Sequence, residues 1–146
     1  MGNPNSGKSS LFNALTGLNQ KTGNFPGVTV DKKTGHFHLS GDMEATITDL
    51  PGTYSLYPRR EDEWVAYKVM MEVDKSTHAD IVLLVVDASN LKRNLLFCSQ
   101  VIDLKRPVII ALTMMDIARK KGIEIDISGI EREMGVPVVV VNPRKT

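Results

Sequence analysis

The sequence predicts an α/β domain with a mostly parallel sheet and helices on both faces. Short apolar runs rich in β-branched residues, at 81–86, 108–112 and 136–141, alternate with longer segments of helical period. Parallel strands joined by crossover helices require that alternation. In addition, 146 residues with 42% hydrophobic positions suffice for one buried core, and no internal repeat, low-complexity tract or linker divides the chain. Residues 1–146 therefore read as a single domain.

Residues 10–16 read as a helix stopped near Gly17. Residues 31–39 alternate as a half-buried strand with Phe37 and Leu39 inward and His36 and His38 outward, and Ser40, Gly41 and Asp42 turn into a second strand over 44–48. Residues 61–74 place Val65, Val69 and Val73 at spacing four, the mark of an amphipathic helix. A buried strand over 81–86 follows, and Asn90 is placed to cap a helix with Leu91, Leu95 and Ile102 along one side. Pro107 ends that helix, 108–112 is the next strand, and the remainder reads as helix, Gly135 and strand.

Bulk properties exclude several classes. The net charge is +1, and the basic pairs are dispersed among acids, so no nucleic-acid surface is suggested. The longest apolar runs are too short to cross a bilayer, and nothing at the N-terminus reads as a signal peptide, so the chain as written is expected to be soluble. Cys98 stands alone, which rules out an intrachain disulfide and fits a small buried hydrophobe.

Chemistry is written in four short stretches. Gly2-Asn3-Pro4-Asn5-Ser6-Gly7-Lys8-Ser9 satisfies G-x-x-x-x-G-K-[ST] and runs straight into the first helix. Backbone N–H groups of such a loop surround phosphates, Lys8 brings charge to the β- and γ-phosphates, and the Ser9 hydroxyl can ligate Mg²⁺. Asp49-Leu50-Pro51-Gly52 ends a strand, where a carboxylate can reach the Mg²⁺ shell and a glycine N–H can approach the γ-phosphate. Between them, residues 22–29 form a glycine-rich stretch ending in the Thr29 hydroxyl, of the kind that orders and releases with a γ-phosphate. Finally, Thr113-Met114-Met115-Asp116 closes a strand, and Asp116 can accept two hydrogen bonds from guanine that adenine cannot offer. Asp116 read as a helix N-cap before Ile117 is compatible with that role.

The order GNPNSGKS, NFPGVTVDKKTG, DLPGTYSL, EDEWVAYKVM resembles the cytosolic G domain of the bacterial ferrous-iron transporter B family, FeoB, over essentially the whole chain. The resemblance implies a Ras-like P-loop fold, slow GTP hydrolysis with Mg²⁺, and switch loops at 19–30 and 49–62. By match of motif, residues 2–9 and Ser10 would hold the phosphates and metal. Gly27, Val28 and Thr29 would approach from switch I, with Thr29 ligating Mg²⁺, and Asp49, Leu50, Pro51 and Gly52 from switch II. Asn5 stands where similar G domains bind K⁺, or else satisfies its own loop backbone. Thr53 occupies the place where many small GTPases keep a water-orienting glutamine, and its short hydroxyl has not the same reach. Arg59 and Arg60 are expected to be solvated rather than catalytic.

Base recognition departs from the family pattern. Thr113 stands for the asparagine of N-x-x-D, and Asn142-Pro143-Arg144-Lys145 stands for S-A-R-K, so the N–H expected to meet guanine O6 falls on Pro143, which has none. Guanine selection then rests mostly on Asp116. The histidines at 36 and 38 supply two ligands at most and are not expected to form a metal site. The family further implies a helical domain and a membrane transport domain, a location on the cytoplasmic side of the inner membrane, and leaves homo-oligomerisation open. Alternatives are a nucleotide-sensing module with negligible turnover and a ribosome-associated GTPase.

Only Met1 precedes Gly2, whereas a Ras-like sheet places a strand between those ending at Asp49 and Asp87. The expectation is a shortened form of a longer domain, or another segment closing the gap, with residues 2–5 poorly ordered without nucleotide.

Overall fold

The computed structural model describes residues 1–2, 6–17, 20–25, 30–39, 42–52, 60–70 and 80–142. In chain order these form α1 (Lys8–Thr16), β1 (Gln20–Asn24), β2 (Asp31–His38), β3 (Glu44–Asp49), α2 (Glu61–Met70), β4 (Val82–Asp87), α3 (Leu91–Ile102), β5 (Val108–Thr113), α4 (Met115–Lys120), α5 (Ile127–Met134) and β6 (Val138–Val140). A 3₁₀ turn at Ala88–Asn90 leads into α3.

Among the described residues the strands fall into two three-stranded sheets. In one, β4, β5 and β6 run parallel, with Val82 opposite Val108, Asp87 opposite Thr113 and Ile110 opposite Val138. In the other, β1, β2 and β3 form an antiparallel meander, with Asn24 opposite Asp31 and Lys33 opposite Asp49. The alternation of apolar runs and helices thus marks the parallel half correctly. Strand β1 falls where the sequence suggests only a switch loop. Its residues, QKTGN, carry no apolar period, and the ladder with β2 holds it in place rather than burial.

Side-chain parity in the parallel sheet builds the core. Val82, Leu84 and Val86 of β4 and Val108, Ile110 and Leu112 of β5 face one side, against Val65, Ala66 and Val69 of α2, Phe97, Cys98 and Val101 of α3, Ala118 of α4 and Ile130 of α5. Val85 and Ala111 face the other side, under Leu11 and Leu15 of α1. Helices therefore cover both faces. Leu84, Val101, Ile110 and Leu112 are 0% exposed, and each such side chain stabilises the fold by about 1.5–3 kcal/mol.

Glycines stop two helices. Gly17 and Gly135 adopt φ of 60° and 70°, and their N–H groups return to Asn13 and Glu131 carbonyls. The third cap differs from the expectation. The Asn90 side chain makes no capping bond; Asp87 instead caps the 3₁₀ turn by accepting from the Ser89 N–H, because that turn intervenes before α3. The buried stripe of α3 is Asn94, Phe97, Cys98 and Val101, while Leu91, Leu95 and Ile102 flank it half-buried. Two residues read as inward are exposed: Ile81 at 57% precedes β4, and Leu39 at 46% lies in the β2–β3 turn, where its N–H donates to Met43 O. Of the α2 stripe, Val65 and Val69 are buried; Val73 and His78 lie outside the described residues, as do Ser40 and Gly41.

Sheets β1–β3 and β4–β6 share no ladder among the described residues. Beside β4, Met1 N–H donates to Leu83 O, Val85 N–H donates to Met1 O, and Gly2 makes a parallel bridge with Val85. Met1 and Gly2 thus pair in parallel with β4 at Leu83 and Val85. No helix among the described residues is long and apolar enough to cross a membrane.

Candidate functional site

The ends of β3, β4 and β5 and the start of α1 converge at one edge, the carboxyl end of the parallel sheet, where open α/β folds hold ligands. Gly7 enters α1 with φ 91°, a conformation natural to glycine, and its carbonyl accepts from Leu11 N–H. The first turn of α1 carries no acidic residue and no side-chain cap, so its N–H groups are available to an anion. Gly2 is packed so closely on β4 that a Cβ there would stand 2.6 Å from Val85 O, which only glycine permits. Ser9 and Ser10 are exposed in the first turn, and Ser6 is 1% exposed.

Lys8 and Asp49, from two motifs 41 residues apart, form an ion pair through Nζ and Oδ1, with side chains 13% and 14% exposed. The phosphate-loop lysine and the carboxylate expected beside the metal thus meet directly. Leu50, buried in the core at 7% exposure, fixes the backbone after Asp49, and Pro51 and Gly52 follow half-buried.

Thr113 is 1% exposed, and its hydroxyl lies 2.5 Å from Ser6 O and 3.1 Å from Val86 O. Met114 adopts φ 60° and starts α4; Met115 packs against the core, and Asp116 is exposed in the first helical turn. Met114 is the N-cap position, so the N-cap reading of Asp116 does not hold. Asn142 is exposed just beyond β6, where Val141 N–H donates to Leu112 O and brings the end of β6 beside the Thr113 segment.

One contributor escaped the sequence reading. Asn94 of α3, 4% exposed, accepts from Asp87 N–H and donates to Asn90 O, while Asp87 accepts from the Ser89 N–H and hydroxyl. This knot fixes the end of β4 opposite Thr113. The D-x-S-N run after an apolar strand was its available signal.

Phe25 is 3% exposed, its N–H donates to Val30 O across residues 26–29, and Lys32 Nζ lies 5.9 Å from its ring centroid. Arg60, exposed as expected, lies 3.2 Å from Glu63 Oε1. His36 and His38 are exposed on β2; His36 Nδ1 is 3.0 Å from Thr46 Oγ1 and 3.9 Å from Glu44. Asn3, Pro4, Asn5, Gly27, Val28, Thr29, Thr53, Arg59, Pro143, Arg144 and Lys145 lie outside the described residues.

Comparison with known proteins agrees with this layout. The model of the ferrous iron transport protein B family matches residues 1–146. The Fe(2+) transporter FeoB of Leptospira biflexa is 55% identical over 97 residues, 66% of this chain but only 14% of that protein. Among solved structures, the cytosolic domain of L. pneumophila FeoB is 46% identical with a TM-score of 0.91, over 99% of this chain and 56% of that one. The cytosolic domain of T. maritima FeoB, in its GDP and GMPPNP forms, is 41% identical with a TM-score of 0.90, over 99% of this chain and 55% of each of those. A whole-chain family match, joined to a Ras-like G-domain fold at this identity, leaves one assignment: the chain belongs to the ferrous iron transport protein B family and is its G domain.

Proposed function

We propose that this chain binds GTP and GDP with Mg²⁺, hydrolyses GTP slowly, and serves as the cytoplasmic nucleotide-responsive domain of a ferrous iron transport protein. The observation that carries the reading is the meeting of Lys8 and Asp49 in front of the uncapped start of α1. A phosphate-binding cation, an oxygen ligand for a hard cation and a helix N-terminus stand at one edge of the sheet.

Residues 2–9 with Ser10 bind the phosphates, and Lys8 leaves Asp49 for the β- and γ-phosphate oxygens. The donors Ser9, Asp49 and Thr29 are hard oxygens that suit Mg²⁺, whose bound charge would offset that of the phosphates. Gly52 N–H turns toward the γ-phosphate, so residues 49–62 report its presence, and residues 19–30 respond through Thr29. Asp116 selects guanine, with Met114 and Met115 beneath the base and Asn142, Pro143 and Arg144 beside it. Thr53 cannot orient water as a longer amide would, which is the basis for slow turnover.

Titration with GDP, GTP and ATP tests the reading. Guanine nucleotides should bind and ATP should not; equal binding of ADP and GDP removes the role given to Asp116. Single-turnover hydrolysis separates a slow enzyme from a sensor without turnover. If Asn5 ligates K⁺ beside the phosphates, replacing Na⁺ by K⁺ at constant ionic strength raises the rate severalfold, and Asn5→Ala erases the difference. Coupling to a helical and a membrane transport domain belongs to the longer protein.

A further inference from the structure

We infer that Thr113 is a positioning residue that latches the phosphate loop to the base-recognition turn, rather than a weakened substitute for a base contact. The inference deepens the nucleotide reading above and rests on it for its binding arm alone.

Three observations at one junction carry it. The Thr113 hydroxyl is sealed from solvent at 1% exposure, and its shorter contact, 2.5 Å, is to the carbonyl of Ser6, 107 residues away, inside the phosphate loop. Next, a Cβ on Gly7 would lie 3.5 Å from Met114 Cε and 3.6 Å from Thr113 Oγ1, so the loop's left-handed turn is seated on the Thr113–Met114 turn. Met114 is itself left-handed, at φ 60°. Third, the buried Ser6 hydroxyl has no hydrogen-bond partner among the described residues. This junction therefore holds an unmet polar group that a shift of the loop can satisfy.

The hydroxyl has one proton and two acceptors. Donation to Ser6 O holds the phosphate loop against β5. Rotation toward Val86 O, at 3.1 Å, returns the proton to the sheet, so the loop can be released without stranding a buried donor. Threonine suits this task because its methyl group fills the buried site and its β-branch restricts χ1, leaving the hydroxyl rotor as the moving part. The base-recognition turn and the phosphate loop are then coupled through a single side chain, and its effect on binding is independent of which base is bound.

The test compares Thr113→Val with Thr113→Ser. In the nucleotide-free protein, the Gly7 amide ¹⁵N, bonded to the carbonyl that Thr113 engages, should shift in the valine variant and return in the serine variant. In binding, Thr113→Val should weaken GDP, 7-deaza-GDP and 6-thio-GDP by the same factor, roughly three- to tenfold, leaving their ratios unchanged, and Thr113→Ser should recover the parent affinity within about twofold. A changed ratio of GDP to either analogue, altered at the N7 or the O6 acceptor, would make Thr113 a base contact and overturn the inference. So would a valine variant with parent affinity, or an unmoved Gly7 resonance. A lowered melting temperature with unchanged affinity of the folded protein would reduce Thr113 to a packing residue and equally overturn it. Should the parent bind no guanine nucleotide at all, the functional reading fails, while the Gly7 shift still decides the latch.

Discussion

The parallel and antiparallel sheets have three strands each among the described residues, yet they are held together by different physics. In β4 and β5 nearly every position is buried, on both faces, so the strands are fixed by packing as well as by their ladder. In β3 exposed and half-buried residues alternate, and β2 presents charged and imidazole side chains to water. The antiparallel sheet relies on its ladder, with Phe25 and Leu50 as its buried pegs. The half that carries the proposed base segment is the tightly packed one. The half that carries the residues assigned to γ-phosphate response has little apolar burial to resist rearrangement, which is where segments of low local stability are drawn from.

The largest test of that contrast is a pair of truncations. Leu84→Ala, at a site with 0% exposure, should destabilise the domain by about 2–5 kcal/mol in urea unfolding, while Thr48→Ala on exposed β3 should cost far less, within about 1 kcal/mol. Comparable losses would erase the distinction. Next in size, Asp116→Ala should remove charge-assisted bonds worth about 1.5–3 kcal/mol, cutting the preference for GDP over ADP by ten- to a hundredfold in a fluorescent-nucleotide competition. Because Asp116 is exposed, the melting temperature should hardly move.

Asp49 joins the two halves, ending β3 and touching Lys8. Asp49→Asn should reduce the Mg²⁺ enhancement of GTP binding about tenfold, equivalent to roughly 1.4 kcal/mol. Titrations with and without chelator measure it, and an undiminished Mg²⁺ effect would remove Asp49 from the metal shell. The smallest effect, absent near neutral pH, concerns Cys98 on α3. Burial pushes its thiol up from 9.0 to about 12, so the folded chain keeps a proton that the unfolded chain gives up. This contribution to stability is complete below pH 9 and is lost as pH rises from 9 toward 12. Melting at pH 8 and 10 should show a decline in the parent that Cys98→Ala lessens.

How much of this was legible in the sequence follows the same division. Helix α1, the buried strands and α5 were readable because apolar period, glycine stops and Pro107 agree locally. Strand β1 was not, since QKTGN has no period and exists only by pairing with β2. Ile81 and Leu39 were assigned inward because apolar runs continue past strand ends, a point that only tertiary context decides. At the site, two motifs assigned Lys8 to the phosphates and Asp49 to the metal shell, but their direct ion pair was not read from them. The target of Thr113 could not be read, because a contact across 107 residues depends on the assembled sheet.

The Lys8–Asp49 pair also cancels charge at the proposed phosphate site. On the proposed reading a nucleotide would not arrive at a bare cation; it would trade places with a carboxylate, and the carboxylate would be handed a metal ion in return. Entry of a magnesium–nucleotide complex would in that sense be an ion exchange, with Lys8 and Asp49 each swapping one counter-ion for another. Long-range attraction has little to act on, so association should depend only weakly on ionic strength. If Asp49 holds the metal, departure of the metal would let Asp49 reclaim Lys8, and that recapture would oppose rebinding of the product.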